Sequence, residues 1–320
     1  MSTDAGRGAA TAIRSVEWTL DAPGRLDRTV TTLPAPTSEE VLVATRVGAV
    51  SPGLERALLH GTCPAVTSRA YPRQPGGLNV VVIREAQDRS LVGDRGIALL
   101  GHRDFALIPY NRFLRVPPGI SDEIALLGVL AADANYAVEV ATVDPDEDCL
   151  VIGGGILGAL IAWELCRRTR GSVRIVEADR DRRELLERIR FPSEVRVSDR
   201  PGRYLFHSVF ECANSSAAFE LAQEAARAGG SIVVVADGCH EPYSLAGGFF
   251  AKGLYLGKPG SHPDLRGFLN EWFSRREDRA TLVANAFRED IRFDEFPQAY
   301  LKAVLAPIPE RAGLLPRVLY

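Results

Sequence analysis

Lysine is almost missing from this 320-residue chain: of its 38 basic residues, all but Lys252, Lys258 and Lys302 are arginine. With alanine abundant as well, this reads as coding bias from a GC-rich genome and carries no functional message. Methionine occurs once, and cysteine five times, at Cys63, Cys149, Cys166, Cys212 and Cys239. An odd number of widely spaced cysteines with no C-x-x-C pair argues against a disulfide framework or a zinc knuckle and for reduced, buried thiols. Long runs of one charge are missing too. A net charge of -3 and a pI near 6.0 give no pull toward phosphate backbones or anionic membranes, so neither nucleic acid nor membrane is expected as a partner. The N-terminal "MSTDAGRGAATAIRS" lacks the apolar core of a signal peptide, and no uninterrupted apolar run approaches a membrane span. The expectation is a cytoplasmic protein acting on a small molecule.

At 46% hydrophobic and 25% charged residues, the chain is of ordinary globular composition and long enough for two cores. The first 120 residues are rich in short β-type runs: "EVLVATRVGAV", "NVVVIREA", "GIALL" and "FALIPYNRFLRVP". Turns bearing Gly and Pro separate them. After "VPPGIS", buried strands alternate with helices. The strands are "CLVIG", "SVRIVEA", "EVRV", "HSVFECA", "SIVVVAD" and "GLYLGKP". The helices are "ILGALIAWELCRRT", "DRRELLERIR" and "SAAFELAQEAARAG", the last closed by Gly229 as a C-cap. That alternation predicts an α/β fold with a doubly wound parallel sheet. The short stretch between "EVRV" and "HSVFEC" predicts a crossover helix reduced to a loop.

The most specific motif is "CLVIGGGILGALIAWEL". Gly153, Gly155 and Gly158 form G-x-G-x-x-G at a strand-to-helix turn, and Glu177 follows 19 residues beyond Gly158 at the end of the next strand. Gly153 makes the tight turn, Gly155 admits a pyrophosphate, and Gly158 lets the helix sit on the sheet. The first helical residues, Ile156 and Leu157, present free N–H groups to phosphate. An acid at Glu177 accepts from ribose hydroxyls and repels a 2′-phosphate, which favours NAD(H) over NADP(H). Arg180, Arg182 and Arg183 stand beside it, and a guanidinium there can hold that same phosphate.

The order of these segments resembles the medium-chain dehydrogenase/reductase superfamily. The resemblance runs from about Val16 to Tyr320 and is carried by "EVLVATRVGAV", "VGDRG", "VDPDEDCLVIGGGILGALIAWEL", "SVFECANSSAAFELAQEAARAGGSIVVVADG" and "DIRFDEFPQAYLKAVL". It implies a GroES-like, β-rich catalytic domain of residues 1–120 and 260–320, a Rossmann domain of residues 121–259, and a homodimer. Substrate and nicotinamide would meet in the cleft between the domains, with Cys212, Ala213, Asn214, Ala236 and Asp237 along the cofactor.

The departures from that family are as informative. The metal-binding cysteine position falls on Ser51 or Pro52, the relay hydroxyl on Leu54, and the histidine after it on Ala57. The Pro-Gly-His-Glu motif becomes "PGGL", with Gly77 and Leu78 in place of His and Glu, and the remaining ligand position falls on Val129. The cysteine-rich lobe that binds structural zinc is missing. Catalytic zinc needs three Cys, His or carboxylate ligands, so a zinc-free site is expected. "S-P-G-x-E" is similar to bacteriochlorophyllide dehydrogenases, and "V-S-P" to the "V-N-P" of zinc-free quinone reductases.

Without metal, proton traffic falls to side chains. Asp133 is the candidate acid/base, or alternatively a structural Asp in the interdomain helix. Ser51 can donate to a substrate oxygen or be a turn hydroxyl before Pro52. His60 can relay a proton or be a half-buried structural residue. Glu55 can bind substrate or pair with Arg56 or Arg69, while Asn135 and Tyr136 are further cleft candidates. The leading expectation is an NAD(H)-linked interconversion of a secondary alcohol and a ketone on a polyol, sugar or specialised metabolite. Reduction of an activated C=C bond is the first alternative. A protein that uses bound NAD without net redox is the second.

Overall fold

The computed structural model of the chain describes residues 12–62, 71–202, 205–236, 242–305 and 313–320. Strands β1 (Ile13–Ala22) and β2 (Arg25–Leu33) form a separate antiparallel hairpin. The β-rich half is built on β3 (Glu40–Ala49), whose burial is nearly continuous because it has neighbours on both sides. Helix α1 (Pro52–His60) follows, then β4 (Leu78–Ala86), β5 (Arg95–Ala98), β6 (Phe105–Pro109) and β7 (Leu114–Arg115). The run "FALIPYNRFLRVP" is therefore broken after Pro109 by a short turn of helix over Tyr110–Arg112. Proline cannot donate to the next rung of a ladder, and the chain leaves the sheet there.

Helix α2 (Asp122–Ala141) joins the halves. Ser121 caps it, its Oγ accepting from Ile124 N at 3.2 Å. By length and hydropathy α2 is the one described helix that could cross a membrane, but 72% of its most apolar window is buried inside the fold. It is a core helix: its first half packs on β3 and β4, and it also contacts α3 (Ile156–Arg168).

The second half alternates as expected: β8 (Cys149–Ile152), α3, β9 (Val173–Val176), α4 (Arg180–Glu187), β10 (Val195–Ser198), β11 (Phe206–Glu211), α5 (Ser216–Ala225), β12 (Ala226–Val234), α6 (Gly247–Ala251) and β13 (Tyr255–Gly257). All strands pair in parallel in the order β10-β9-β8-β11-β12-β13. The chain reverses direction across the sheet between β8 and β11, and ligands bind such sheets at that switch point. No helix lies between β10 and β11 among the described residues, matching the short sequence there.

Helices α7 (Leu265–Ser274) and α8 (Ala280–Ala286) lie against α2 and α3, with Phe268, Leu269, Trp272 and Leu282 in the same core. Strands β14 (Asp290–Arg292) and β15 (Arg317–Leu319) then join the first sheet on β3, with α9 (Phe296–Leu305) between them.

One expected boundary moves. Helix α5 ends at Ala225 rather than at Gly229, and β12 begins with Ala226 paired to Phe206. Gly229 adopts its positive φ of 71° inside β12, donating to Lys252 O at 2.8 Å. Lys252 then closes the helix: its Nζ donates to the carbonyl oxygens of Gln223, Glu224 and Ala226 at 2.9, 2.9 and 2.8 Å. Three donors on one tetrahedral ammonium suit three converging carbonyls, and the cation faces the negative end of the helix dipole. Lys252→Ala should lower stability by about 2 kcal/mol, the scale of charge-assisted hydrogen bonds. Urea denaturation measures this, and Lys252→Arg should restore only part of the loss.

Candidate functional site

The glycine turn between β8 and α3 has the geometry that phosphate-binding turns require. Gly153 has φ of 101°, and a Cβ there would stand 2.6 Å from Ala213 N, so the turn tolerates only glycine. Gly155 caps α3, and a Cβ on it would meet nothing within 4 Å. The space beside the helix N-terminus is open where a pyrophosphate would lie. At Gly158 a Cβ would collide with the carbonyl oxygen of Gly153, which is the close helix–strand contact expected of the third glycine. Ile156 is buried and Leu157 half-buried in the first helical turn.

Glu177 stands at the end of β9, only 5% exposed. Its Oε2 accepts from Gly154 N at 2.7 Å and from Arg182 Nη1 at 3.2 Å, and its Oε1 accepts from Asp179 N at 2.9 Å. The acid therefore reaches the glycine turn. Of the three nearby arginines, Arg182 is the one whose guanidinium meets the carboxylate. Arg183 bonds the carbonyls of Glu177 and Ala178, and Arg180 pairs with Glu184. Burial and the positive charge of Arg182 together hold the Arg56 guanidinium below its usual range, which places Arg56 of α1 near this corner.

The loop after β11 is organised by a carboxylate that sequence reasoning missed. Glu211 is fully buried; its Oε1 accepts from Ala213 N and Asn214 N at 2.9 and 2.7 Å, and its Oε2 from Tyr243 OH at 2.9 Å. Burial pushes Glu211 upward while these donors pull the other way. Asn214 sits at φ of 65°. The signal in the sequence was an acid at the end of an apolar strand. Burial raises the Cys212 thiol well above its usual range, in keeping with packing rather than nucleophilic duty. Ala236 N reaches Glu211 O at 3.3 Å, beside Cys212 and Asn214, while Asp237 lies outside the described residues. Lys258, also missed, follows β13 and donates from Nζ to Val235 O at 3.1 Å.

On α2, Asp133 is half-buried on the face that also carries Val129, Tyr136 and Val140. Val140 packs on Gly257, and the Tyr136 ring lies 5.8 Å from that of His262. That face therefore runs along β13 and the loop after it. Asn135 points elsewhere, bonding Glu139 at 2.9 Å and Arg168.

The first loop departs from expectation. Ser51 is the N-cap of α1, but its hydroxyl makes no capping bond; its backbone N instead donates to Glu55 Oε1 at 2.8 Å. Glu55 is 1% exposed and pairs with neither Arg56 nor any substrate-facing group; Arg69 lies outside the described residues. Its Oε2 is 3.0 Å from Nε2 of His102, which is equally buried. A buried carboxylate requires such a partner, and here an imidazole arriving from another loop supplies it. Tyr320 OH is 3.5 Å from His102 Nδ1, and the His102 ring lies 4.6 Å from that of Phe296. Burial and the Glu55 charge raise the Tyr300 and Tyr320 hydroxyls, so both stay protonated. His60 is exposed at the other end of α1, roughly 13 Å along the helix from Ser51. The structure brings Ser51 and Glu55 together and leaves His60 apart.

Among the described residues, no three His, Cys, Asp or Glu side chains gather as metal ligands. Glu55 and His102 meet, but they bond each other, and Gly77, Leu78 and Val129 offer no donor side chain. This set does not fit a three-ligand catalytic zinc.

The glycines give a paired test. Gly158→Ala should cost about 1–3 kcal/mol by overpacking and abolish NADH binding as α3 shifts. Gly155→Ala should fold with a near-normal melting temperature yet bind NADH more weakly, because its methyl would fill only the phosphate space. Thermal unfolding and NADH fluorescence titration separate the two.

No family model and no curated protein matches the sequence. Solved structures do match. A short chain alcohol dehydrogenase from Escherichia coli CFT073, complexed with NADH, aligns at TM-score 0.77 and 14% identity over 96% of this chain and 99% of its own. L-idonate 5-dehydrogenase from E. coli K-12 aligns at TM-score 0.80 and 10% identity over 97% and 99%. TarJ from S. aureus in complex with NADPH aligns at TM-score 0.75 and 15% identity over 96% and 99%. Over essentially its whole length, the chain has the two-part α/β fold of these dehydrogenases.

Proposed function

We propose that the chain is a metal-independent NAD(P)(H)-linked oxidoreductase that interconverts a secondary alcohol and a ketone on a polyol, sugar or specialised metabolite. The observation that carries this is the intact cradle of Gly153, Gly155, Gly158 and Glu177 with open space beside Gly155, together with a first loop whose described residues offer no metal ligand set. Structural similarity to alcohol and L-idonate dehydrogenases supports the reaction class.

When bound, the cofactor supplies or accepts the hydride. The chain's own residues handle the proton and the oxygen: Asp133 as acid/base on the cleft face of α2, and Ser51 as a hydrogen-bond donor. Glu177 favours NAD(H). Arg182 offsets part of its charge and keeps NADP(H) within reach. Assembly as a homodimer is supported by the edge strand β13. Tyr255 and Leu256 are 71% and 49% exposed there, beside exposed Phe250 and Leu245. An unpaired apolar edge is a template for a second strand.

The test begins with NADH and NADPH titrations, followed by a panel of ketones, polyols and enones. Failure of both nucleotides to bind overturns the proposal; turnover of enones alone favours C=C reduction. Asp133→Asn should lower kcat by about 10²-fold or more with NADH affinity unchanged. Arg182→Ala should shift preference toward NADH by about tenfold, the worth of one charge-assisted hydrogen bond. Dialysis against a chelator should leave activity intact, and a stoichiometric equivalent of zinc in the purified protein would contradict the metal-free site.

A further inference from the structure

Two loops carry most of the positions where the family resemblance expects metal ligands: the first at Ser51–Pro52, the second at Gly77–Leu78. In a metalloenzyme, coordination itself would tie them together. Neither loop has a ligand side chain at those positions here, yet the two are tied.

The β3–β4 ladder sets Ala49 opposite Leu78 at their bases, and His102 adds a side-chain tie beyond it. Its backbone N donates to Pro75 O at 3.1 Å, and its backbone O accepts from Trp18 N at 2.9 Å, so the residue is fixed between the second loop and β1. Its imidazole covers Gly76: a Cβ there would lie 2.7 Å from His102 Nε2. Gly76 also has φ of 88°, so both space and backbone reserve that position for glycine. From there Nε2 reaches Glu55 Oε2 at 3.0 Å, and the other oxygen of Glu55 receives Ser51 N at 2.8 Å. The sequence of contacts is thus second loop, imidazole, carboxylate, first loop. Phe296, Tyr300 and Tyr320 enclose it, and both partners are 1% exposed. In such a dry setting each hydrogen bond is stronger and a missing partner costs more.

We infer that Glu55 and His102 form a metal-independent clip that fixes the two cleft loops relative to each other, in the place where family members use a coordinated metal. They are positioning residues, acting on the cleft through the backbone of Ser51. The inference deepens the proposed function and rests on it for the identity of the cleft.

The experiment is NMR on the isotopically labelled full-length chain. The wild type should show a low-field imidazole proton assigned to His102 and slow hydrogen exchange at the Ser51 amide. In Glu55→Gln and in His102→Gln that proton should vanish and Ser51 exchange should quicken at least tenfold, while NADH affinity stays within twofold. The double variant Glu55→Gln/His102→Gln should be no worse than either single one, because the two act as a unit. Equal protection of Ser51 in the wild type and His102→Gln overturns the clip. Movement of His102 signals on addition of equimolar zinc overturns it too, since the pair would then be half of a metal site. Should the variants fail to fold, the wild-type spectrum decides alone: no His102 low-field proton means no clip. Loss of NADH binding in the wild type would instead defeat the oxidoreductase reading, while the Ser51 exchange comparison keeps its own meaning.

Discussion

Helix α2 has to satisfy two sheets at once, and the two halves of the fold meet on it. Its first turn is held by arginines of the β-rich sheet: Arg46 and Arg95 meet Asp122 at 2.6 and 2.7 Å, and Arg317 meets Glu123. Acids at a helix N-terminus are favourable there in their own right. Its body is almost wholly apolar, with Leu126, Leu127, Ala131, Ala134 and Val138 inaccessible to solvent. Alanine at so many of these positions lets neighbouring elements approach closely. The cost is a helix with little freedom to carry polar groups, and for that reason half-buried Asp133 and Tyr136, on the face along β13 and the loop after it, stand out.

Two regions of the fold follow different rules. Around the glycine turn, backbone does the work: a positive-φ glycine, a helix N-terminus and a loop laced by Glu211 create the shape, and side chains adjust its charge. Around Glu55 and His102, side chains do the work. There a buried carboxylate and imidazole add a side-chain link between loops whose strands already pair with Ala49 opposite Leu78, and an aromatic cluster of Phe293, Phe296, Tyr300 and Tyr320 keeps water from them. A buried hydrogen bond between such groups adds little net stability, but removing either partner leaves the other unsatisfied. Such pairs suit a place where geometry matters more than stability.

The strand–turn–helix around Gly153 was legible in the sequence because its determinants are local. Gly153, Gly155, Gly158 and Glu177 lie within 25 residues, and a strand–turn–helix can be read in such a window. Even there, the engagement of Arg182 with Glu177 rather than Arg180 or Arg183 depended on the helical phase set by the Asp179 cap. The end of α5 was misplaced for a related reason: Gly229 resembled a C-cap locally, but Lys252, 23 residues later, sets the helix end.

The Glu55–His102 contact was not legible, because its partners are far apart in the chain. Glu55 meets His102 across 47 residues, and His102 meets Tyr320 across 218. No spacing rule links them, and a lone histidine in "LLGHRDF" has nothing to mark it. The sequence by itself determined the order of strands and helices and the glycine turn between β8 and α3, because each depends on residue type within a short window. Only the tertiary structure decided which buried groups face one another. Desolvation makes a buried carboxylate take whatever donor the fold brings near, and that choice is made by the packing of distant segments rather than by neighbours in sequence.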